Sequence, residues 1–149
     1  MPAEAHKIPE LTVLVPVYNE AENVPLLVER LTPALEGCVA SHEVIFVDDG
    51  SHDATMEAVR AAHARDPRVD AISFSRNFGK EVAIAAGLDH ARGRAVVIMD
   101  ADLQHPPEAI VDMVAKWREG YGNVYGLRSD RSTDSAMRRA LTLRFYRLF

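Results

Sequence analysis

Two aspartates that could hold a metal ion, Asp100 and Asp102, follow a short apolar run at residues 96–99 and precede an amide and a double proline. The uncharged run predicts a buried strand of a parallel sheet, so both carboxylates lie where that strand leaves the sheet. In an extended exit, residues two apart point the same way and can face one cation. Carboxylate oxygens favour Mg²⁺ or Mn²⁺. A solvated, helix-capping loop is the alternative, because Asp and Pro are common in such turns.

Polar residues also follow two earlier predicted strands. The apolar run at 11–15 ends at Pro16 and leads into residues 16–20, and the run at 43–47 leads into Asp48, Asp49, Gly50 and Ser51. Ligands of open α/β sheets bind at the carboxyl ends of the strands. Three polar strand ends in one sheet therefore predict one site.

Strands and helices alternate along the sequence. Strands are predicted at 11–15, 43–47, 69–74, 96–99 and 123–127, and helices after Asn19, from Ser51 or Asp53 to about 64, at 81–91, at 108–119 and from Ser132 or Ser135 onward. Asn19 is the expected N-cap of the first helix, Pro33 is expected to kink or end it, and Gly93 and Gly120 are expected to end the third and fourth. This order predicts a one-domain α/β fold, a parallel sheet with helices on both faces.

Composition excludes several classes of function. The 149 residues carry a net charge of −5, which divides into −9 over residues 1–127 and +4 over 128–149. An acidic body argues against general nucleic-acid binding, whereas the basic tail is suited to phosphates or an anionic surface, or is simply solvated. Neither G-x-G-x-x-G nor G-x-x-x-x-G-K-[ST] occurs, which argues against dinucleotide enzymes and P-loop NTPases.

Cellular context is predicted from what the sequence lacks. The lone Cys38 rules out an intrachain disulfide and indicates a reducing, cytoplasmic environment. No apolar run approaches the roughly 18 residues of a membrane span, and the first residues do not resemble a signal peptide. We therefore expect the chain, as given, neither to span a membrane nor to be exported.

Four motifs in order carry a family resemblance: Val15-Pro16-Val17-Tyr18-Asn19-Glu20, Val47-Asp48-Asp49-Gly50-Ser51, Arg76-Asn77-Phe78-Gly79-Lys80 and Asp100-Ala101-Asp102-Leu103-Gln104. Together they resemble family 2 glycosyltransferases of the GT-A fold, which is Rossmann-like. Within that family they are most similar to polyprenyl-phosphate glycosyltransferases, namely bactoprenol glucosyltransferases and dolichol-phosphate mannose synthases. The resemblance extends from about residue 11 to 149.

The resemblance implies a role for each matching residue. Pro16, Tyr18 and Glu20 would line the nucleoside pocket, and Val47 and Asp49 would contact base and ribose. Asp100, Asp102 and Gln104 would hold Mg²⁺ or Mn²⁺ at the diphosphate of a UDP- or GDP-hexose, beside Ala101. Arg128 would bind the donor diphosphate and Arg131 the acceptor phosphate. Asp48 and Lys80 are also candidates for the nucleotide-sugar site, Lys80 in contact with a phosphate. Simpler roles stay open for four residues, namely packing for Tyr18, helix capping for Asp48, and an exposed position without a ligand for Lys80 and His105.

The resemblance also implies an activity, which is inverting, metal-dependent transfer of a hexose to undecaprenyl or dolichyl phosphate at the cytoplasmic membrane face. Family members continue beyond this length with acceptor-side residues and usually two transmembrane helices. We therefore expect this chain to bind donor, transfer sugar poorly or not at all, contact membranes weakly and self-associate to some extent. The alternatives are a family 2 enzyme of polysaccharide or protein glycosylation, and a non-catalytic nucleotide-sugar-binding module.

Overall fold

The computed structural model describes residues 8–126, in which strands and helices alternate. In chain order they are β1 (Leu11–Val17), α1 (Asn23–Cys38), β2 (His42–Asp48), α2 (Thr55–Arg65), β3 (Val69–Ser73), α3 (Lys80–His90), β4 (Ala95–Ile98) and α4 (Ala109–Arg118). The four strands form one parallel sheet in the order β3-β2-β1-β4. The predicted α/β class and parallel sheet are confirmed.

Helices cover both faces of the sheet, as predicted. On one face, alternate residues of β1 pack with buried side chains of α1, α2 and α4, among them Val13, Leu31 and Ile110. On the other face, Leu14 and Ile45 pack against Ala83 of α3. The buried apolar side chains of α1 and α4 and the small residues Ala83 and Gly87 of α3 lie toward the sheet.

β1 continues beyond Pro16, where the sequence predicted its end. Pro16 lies opposite Val47 in the register with β2, and the strand runs on to Val17. The hydrogen bond from Met99 to Leu14 shows that even-numbered residues of β1 point their backbone groups toward β4. β4 ends at Ile98, opposite Leu14. The missing N–H of Pro16 therefore removes no sheet hydrogen bond, which is where a strand tolerates proline.

The helix boundaries predicted at Asn19 and Gly93 are wrong, and of the two outcomes predicted for Pro33 the structure excludes the helix end. Asn19 does not cap α1, which starts at Asn23; Asn19 adopts a left-handed φ of 55° and binds the β2–α2 loop instead. Pro33 does not end α1, which continues to Cys38. Gly93 does not end α3, because the helix ends at His90 and the backbone of Ala91 is already in the extended conformation. A Cβ at Gly93 would lie 2.4 Å from the backbone nitrogen of Thr12, so glycine there permits close contact with β1.

The predicted fifth strand is not formed where the structure describes it, because residues 123–126 carry no strand. Residue 127, the predicted last helix and both Arg128 and Arg131 lie outside the described residues. Within 8–126, every helix is too short or too polar to cross a membrane.

Candidate nucleotide-sugar site

The ends of β1, β2 and β4 open into one cleft of about 230 Å³ at the carboxyl edge of the sheet. Its lining residues are Pro16, Val17, Tyr18, Glu20, Asp49, Lys80, Asp100, Ala101 and Asp102. All of them except Val17 are among the residues to which the resemblance assigns a site role. The resemblance assigns no role to Val17, which also lies two residues beyond the predicted end of the strand at residue 15.

Hydrogen bonds hold the β1–α1 loop against the β2–α2 loop. The backbone N–H of Asn19 donates to the Ser51 hydroxyl at 2.9 Å, and the Asn19 side-chain oxygen accepts from the backbone N–H of His52 at 2.9 Å. The backbone N–H of Glu20 donates to the buried Thr55 hydroxyl at 2.8 Å. These contacts fix the backbone that directly follows Tyr18, a residue that is 42% exposed and whose ring meets His52 edge to face.

The same Thr55 hydroxyl donates a hydrogen bond to the Asp53 carboxylate. That bond, together with backbone N–H groups of Thr55 and Ala21, lowers the pKa of Asp53 below its ordinary value of 3.8. Asp53 also accepts from the backbone N–H of Thr55, the first residue of α2. The N-cap of this helix is nevertheless Ala54, so the prediction that Ser51 or Asp53 caps α2 is wrong.

Asp49 anchors the loop between β3 and α3. Its two carboxylate oxygens accept the backbone N–H groups of Phe78 at 2.7 Å and Gly79 at 2.9 Å, and the side chain is almost wholly buried. At the neighbouring Gly50, with a φ of 71°, a Cβ would lie 2.4 Å from the backbone of Arg76. The loop therefore rests directly on the β2 turn, and α3 begins at Lys80 beside the cleft.

Asp100 and Asp102 both line the cleft but have different partners. Asp100 accepts a hydrogen bond from the Lys80 ammonium at 2.5 Å. Asp102 is exposed and accepts only the backbone N–H of Gln104, at 3.0 Å, among the residues that the structure describes. Leu103, between Asp102 and Gln104, adopts a left-handed φ of 58°.

Several predicted site residues lie outside the cleft. The Val47 side chain is fully buried and packs in the core beside α3, so the structure does not bring it to a ligand there. Asp48 is buried and accepts from the Ser51 backbone and the Ser73 hydroxyl. Gln104 contacts Asp102 only through its backbone. His105 lines an adjoining cavity of about 630 Å³ beside β4, which shares Lys80 and Asp100 with the cleft.

The cleft residues that fit a divalent cation are Asp100 and Asp102. Within residues 8–126, no three His, Cys, Asp or Glu side chains converge as a ready-made cation site. Mg²⁺ is usually held by one or two carboxylates, with water and substrate phosphates completing its shell. Two carboxylates at an open strand exit match that mode of binding.

Solved structures of glycosyltransferases share this parallel sheet, and the likeness identifies the fold as GT-A. The mannosyltransferase PcManGT of Pyrobaculum calidifontis, solved in complex with GDP-Man and Mn²⁺, has a TM-score of 0.57 at 33% identity, over 65% of this chain and 28% of its own. Glucosyl-3-phosphoglycerate synthase of Mycobacterium tuberculosis has a TM-score of 0.65 over 91% of this chain and 50% of its own, and at 22% identity it supports the fold alone.

The family model for glycosyl transferase family 2 matches residues 12–148, and the chain belongs to this family. The uncharacterized glycosyltransferase YkcC of Bacillus subtilis is 43% identical over 93% of this chain and 43% of its own length. The bactoprenol glucosyl transferase of Shigella phage SfV is also 43% identical, over 93% of this chain and 45% of its own length. The chain thus spans less than half the length of these relatives.

Proposed function

We propose that this chain is the donor-binding part of an inverting, metal-dependent glycosyltransferase that moves a hexose from a nucleoside-diphosphate sugar to polyprenyl phosphate at the cytoplasmic membrane face. The observation that carries the proposal is the cleft itself, in which Asp100 and Asp102 from one strand exit face Tyr18 and Asp49 from two others. A flat aromatic side chain at one end and acidic cation ligands at the other suit the two ends of a nucleoside diphosphate.

The nucleoside would bind at the end formed by β1 and β2. Tyr18 offers an exposed ring face to a base, and Pro16 and Glu20 flank it in the cleft lining. Asp49 already accepts two backbone N–H groups, but a carboxylate has about four acceptor positions. It therefore keeps acceptor capacity for ribose hydroxyls.

The diphosphate would bind at the end formed by β4, where Asp100 and Asp102 would hold Mg²⁺ or Mn²⁺. When bound, this ion supplies neutralisation of the negative charge that develops on the departing nucleoside diphosphate. Lys80 adds a positive charge to the same end of the cleft. Arg128 is proposed at the donor diphosphate and Arg131 at the acceptor phosphate.

Attack by the acceptor phosphate requires few further catalytic groups from the protein. A polyprenyl phosphate is already ionised near neutral pH, so attack on the sugar carbon requires no strong general base. Glycosyl transfer passes through an oxocarbenium-like state, and stabilising the leaving group and aligning the acceptor therefore supply most of the catalysis. The activity of relatives such as the bactoprenol glucosyl transferase of phage SfV favours this acceptor over a polysaccharide or a protein.

The test is a screen followed by a transfer assay. Thermal-shift measurements with UDP- and GDP-sugars and Mn²⁺ identify the donor, which is then used radiolabelled with undecaprenyl phosphate. We expect a clear Mn²⁺-dependent shift with one donor and a small amount of label in the lipid phase, absent in Asp102→Asn. Label that enters a polysaccharide or protein acceptor but never the lipid would contradict the proposed acceptor. Failure of every nucleotide sugar to bind would contradict the whole proposal.

A further inference from the structure

We propose that Lys80 occupies the Asp100 carboxylate while the cleft is free of metal, and that a divalent cation displaces it toward the donor diphosphate. Binding of the cation and of the nucleotide would then be coupled through one side chain. The inference rests on the proposed function, which it deepens by naming the residue that links the two ligands.

The first observation is the ion pair between Lys80 and Asp100. Their side chains are 54% and 38% exposed, so the pair stands in the open cleft and not in the core. Among the described residues lining the cleft, Lys80 carries the only positive charge. An ammonium group on the Asp100 carboxylate opposes a cation at the same carboxylate, because like charges a few ångströms apart repel.

The second observation is that the backbone before Lys80 is held by two hydrogen bonds, whereas its ammonium has one partner among the described residues. Asp49 holds the two preceding backbone N–H groups, and α3 begins at Lys80 itself. Within the described residues, the Asp100 carboxylate is the only hydrogen-bond partner of the ammonium. The four-carbon stem can therefore turn within the cleft while its Cα stays in place.

The third observation is the contrast with Asp102. That carboxylate makes no ion pair among the described residues and is exposed. A cation can therefore approach Asp102 without displacing anything and reach full coordination only when Lys80 leaves Asp100. The released ammonium, a compact charge with three donors, suits the phosphate oxygens that arrive with the nucleotide.

If the two ligands are coupled through Lys80, loss of its charge should change the affinity for Mn²⁺ and the affinity for nucleotide in opposite directions. Removing the Lys80 charge should tighten Mn²⁺ binding in the absence of nucleotide by about two- to fivefold, the range that loss of an exposed ion pair supports. The same change should weaken UDP or GDP binding at saturating Mn²⁺ by at least about tenfold, because a charge-assisted hydrogen bond to phosphate is lost. If Lys80 only supported the fold, its substitution would weaken both the binding of Mn²⁺ and the binding of nucleotide.

The experiment measures free Mn²⁺ by electron paramagnetic resonance and UDP and GDP affinity by calorimetry, on the whole chain. The variants are Lys80→Met, which removes the charge, and Lys80→Arg, which keeps it and should preserve the coupling. The matched control is Lys116→Met on α4, where a similarly exposed lysine pairs with Glu119 at 2.8 Å outside the cleft. We expect this control to change neither affinity, and circular dichroism verifies that each variant is folded.

Two outcomes overturn the inference and leave the proposed function standing. The first is Mn²⁺ affinity that is unchanged or weaker in Lys80→Met, while the parent chain binds nucleotide in a Mn²⁺-dependent way. The second is tighter Mn²⁺ binding with unchanged nucleotide affinity, which would show that Lys80 does not move to the diphosphate. A parent chain that binds neither UDP nor GDP with Mn²⁺ contradicts the proposed function and this inference together.

Discussion

Asp102 offers the cleanest substitution at the scale of single residues. Asp102→Asn keeps an oxygen that can accept from the Gln104 backbone N–H but removes the negative charge. We expect nucleoside diphosphates to lose most of the thermal stabilisation that Mn²⁺ adds, while the melting temperature of the free chain changes little because the residue is exposed. Melting curves with and without UDP, GDP and Mn²⁺ measure both. An unchanged Mn²⁺-dependent shift would remove Asp102 from the metal site.

Asp49 should behave differently because it is buried and holds a loop. In Asp49→Asn, one of the two backbone N–H groups now met by a carboxylate oxygen would face an amide N–H₂. An unpaired buried donor costs about 1–3 kcal/mol, so the free energy of unfolding should fall by that amount. Urea titration measures it. Asp70→Asn is the control, since Asp70 is exposed and, among the described residues, accepts only the next backbone N–H. An equal loss of unfolding free energy in both variants would contradict the role of Asp49 as an anchor of the loop.

Residue types and spacing predicted which polar groups lie close together. The prediction was possible because parallel strands bring their carboxyl ends to one edge of the sheet. They did not predict side-chain partners. Asp48 and Asp49 are adjacent and chemically identical, yet only Asp49 reaches the cleft. Which of the two does so depends on the alternation of β2 between its two faces, and no local property of either residue encodes that.

At the scale of elements, the contact between α3 and the sheet depends on Gly87. A Cβ there would lie 2.1 Å from a methyl carbon of Leu14, which is fully buried and has no room to move. Gly87→Ala should therefore destabilise by about 1–3 kcal/mol, although alanine favours the helix. Gly37→Ala in α1 is the matched control, because nothing lies within 4 Å and helix propensity alone should stabilise by up to about 1 kcal/mol. Chemical unfolding tests both; the same sign of change would contradict the packing described.

The opposite edge of the sheet predicts a pH dependence of stability. Burial raises the pKa of the Glu43 carboxyl, but hydrogen bonds from Thr12 and Arg92 outweigh this and hold the pKa below its ordinary value of 4.5. A folded-state pKa below the unfolded one contributes stability above about pH 4.5, and this contribution is lost as the pH falls through the folded value. Glu43→Gln should be less stable at pH 7 and should lose less stability on acidification.

Urea unfolding of the parent and of Glu43→Gln at pH 7, 5 and 4 measures that difference. Other carboxyls with lowered pKa values, such as Asp66 and Glu10, leave a residual slope in both proteins. Identical slopes would show that Glu43 does not contribute.

Element type and order followed from hydrophobic pattern, but element ends did not. Pro16 continues a strand because its neighbour β4 is shorter, and Asn19 leaves the helix cap because the β2–α2 loop offers hydrogen bonds. Both outcomes depend on residues more than 25 positions away. Local propensity gives no access to such partners, and the ends of β1 and α1 beside the cleft were therefore misplaced.

At the scale of the whole molecule, the unequal distribution of charge predicts weak and reversible membrane contact. Residues 128–149 carry +4 against −9 for the rest of the chain. Each basic residue near an anionic surface contributes about 1 kcal/mol, and salt screens that attraction. We expect co-sedimentation with anionic vesicles at low ionic strength that is lost at physiological salt. Sedimentation that resists salt, or equal binding to neutral vesicles, would contradict the electrostatic origin.

Calorimetric titration of the parent chain shows whether the cleft binds a nucleoside diphosphate through a divalent cation. UDP and GDP are each titrated with Mn²⁺ present and with the metal removed by chelation, alongside uridine and guanosine. We predict that one diphosphate binds at least about tenfold more tightly with Mn²⁺ and that its nucleoside does not respond to the metal, because the ion is held between Asp100, Asp102 and the phosphates. Equal affinity of the diphosphate with and without Mn²⁺ would contradict the account.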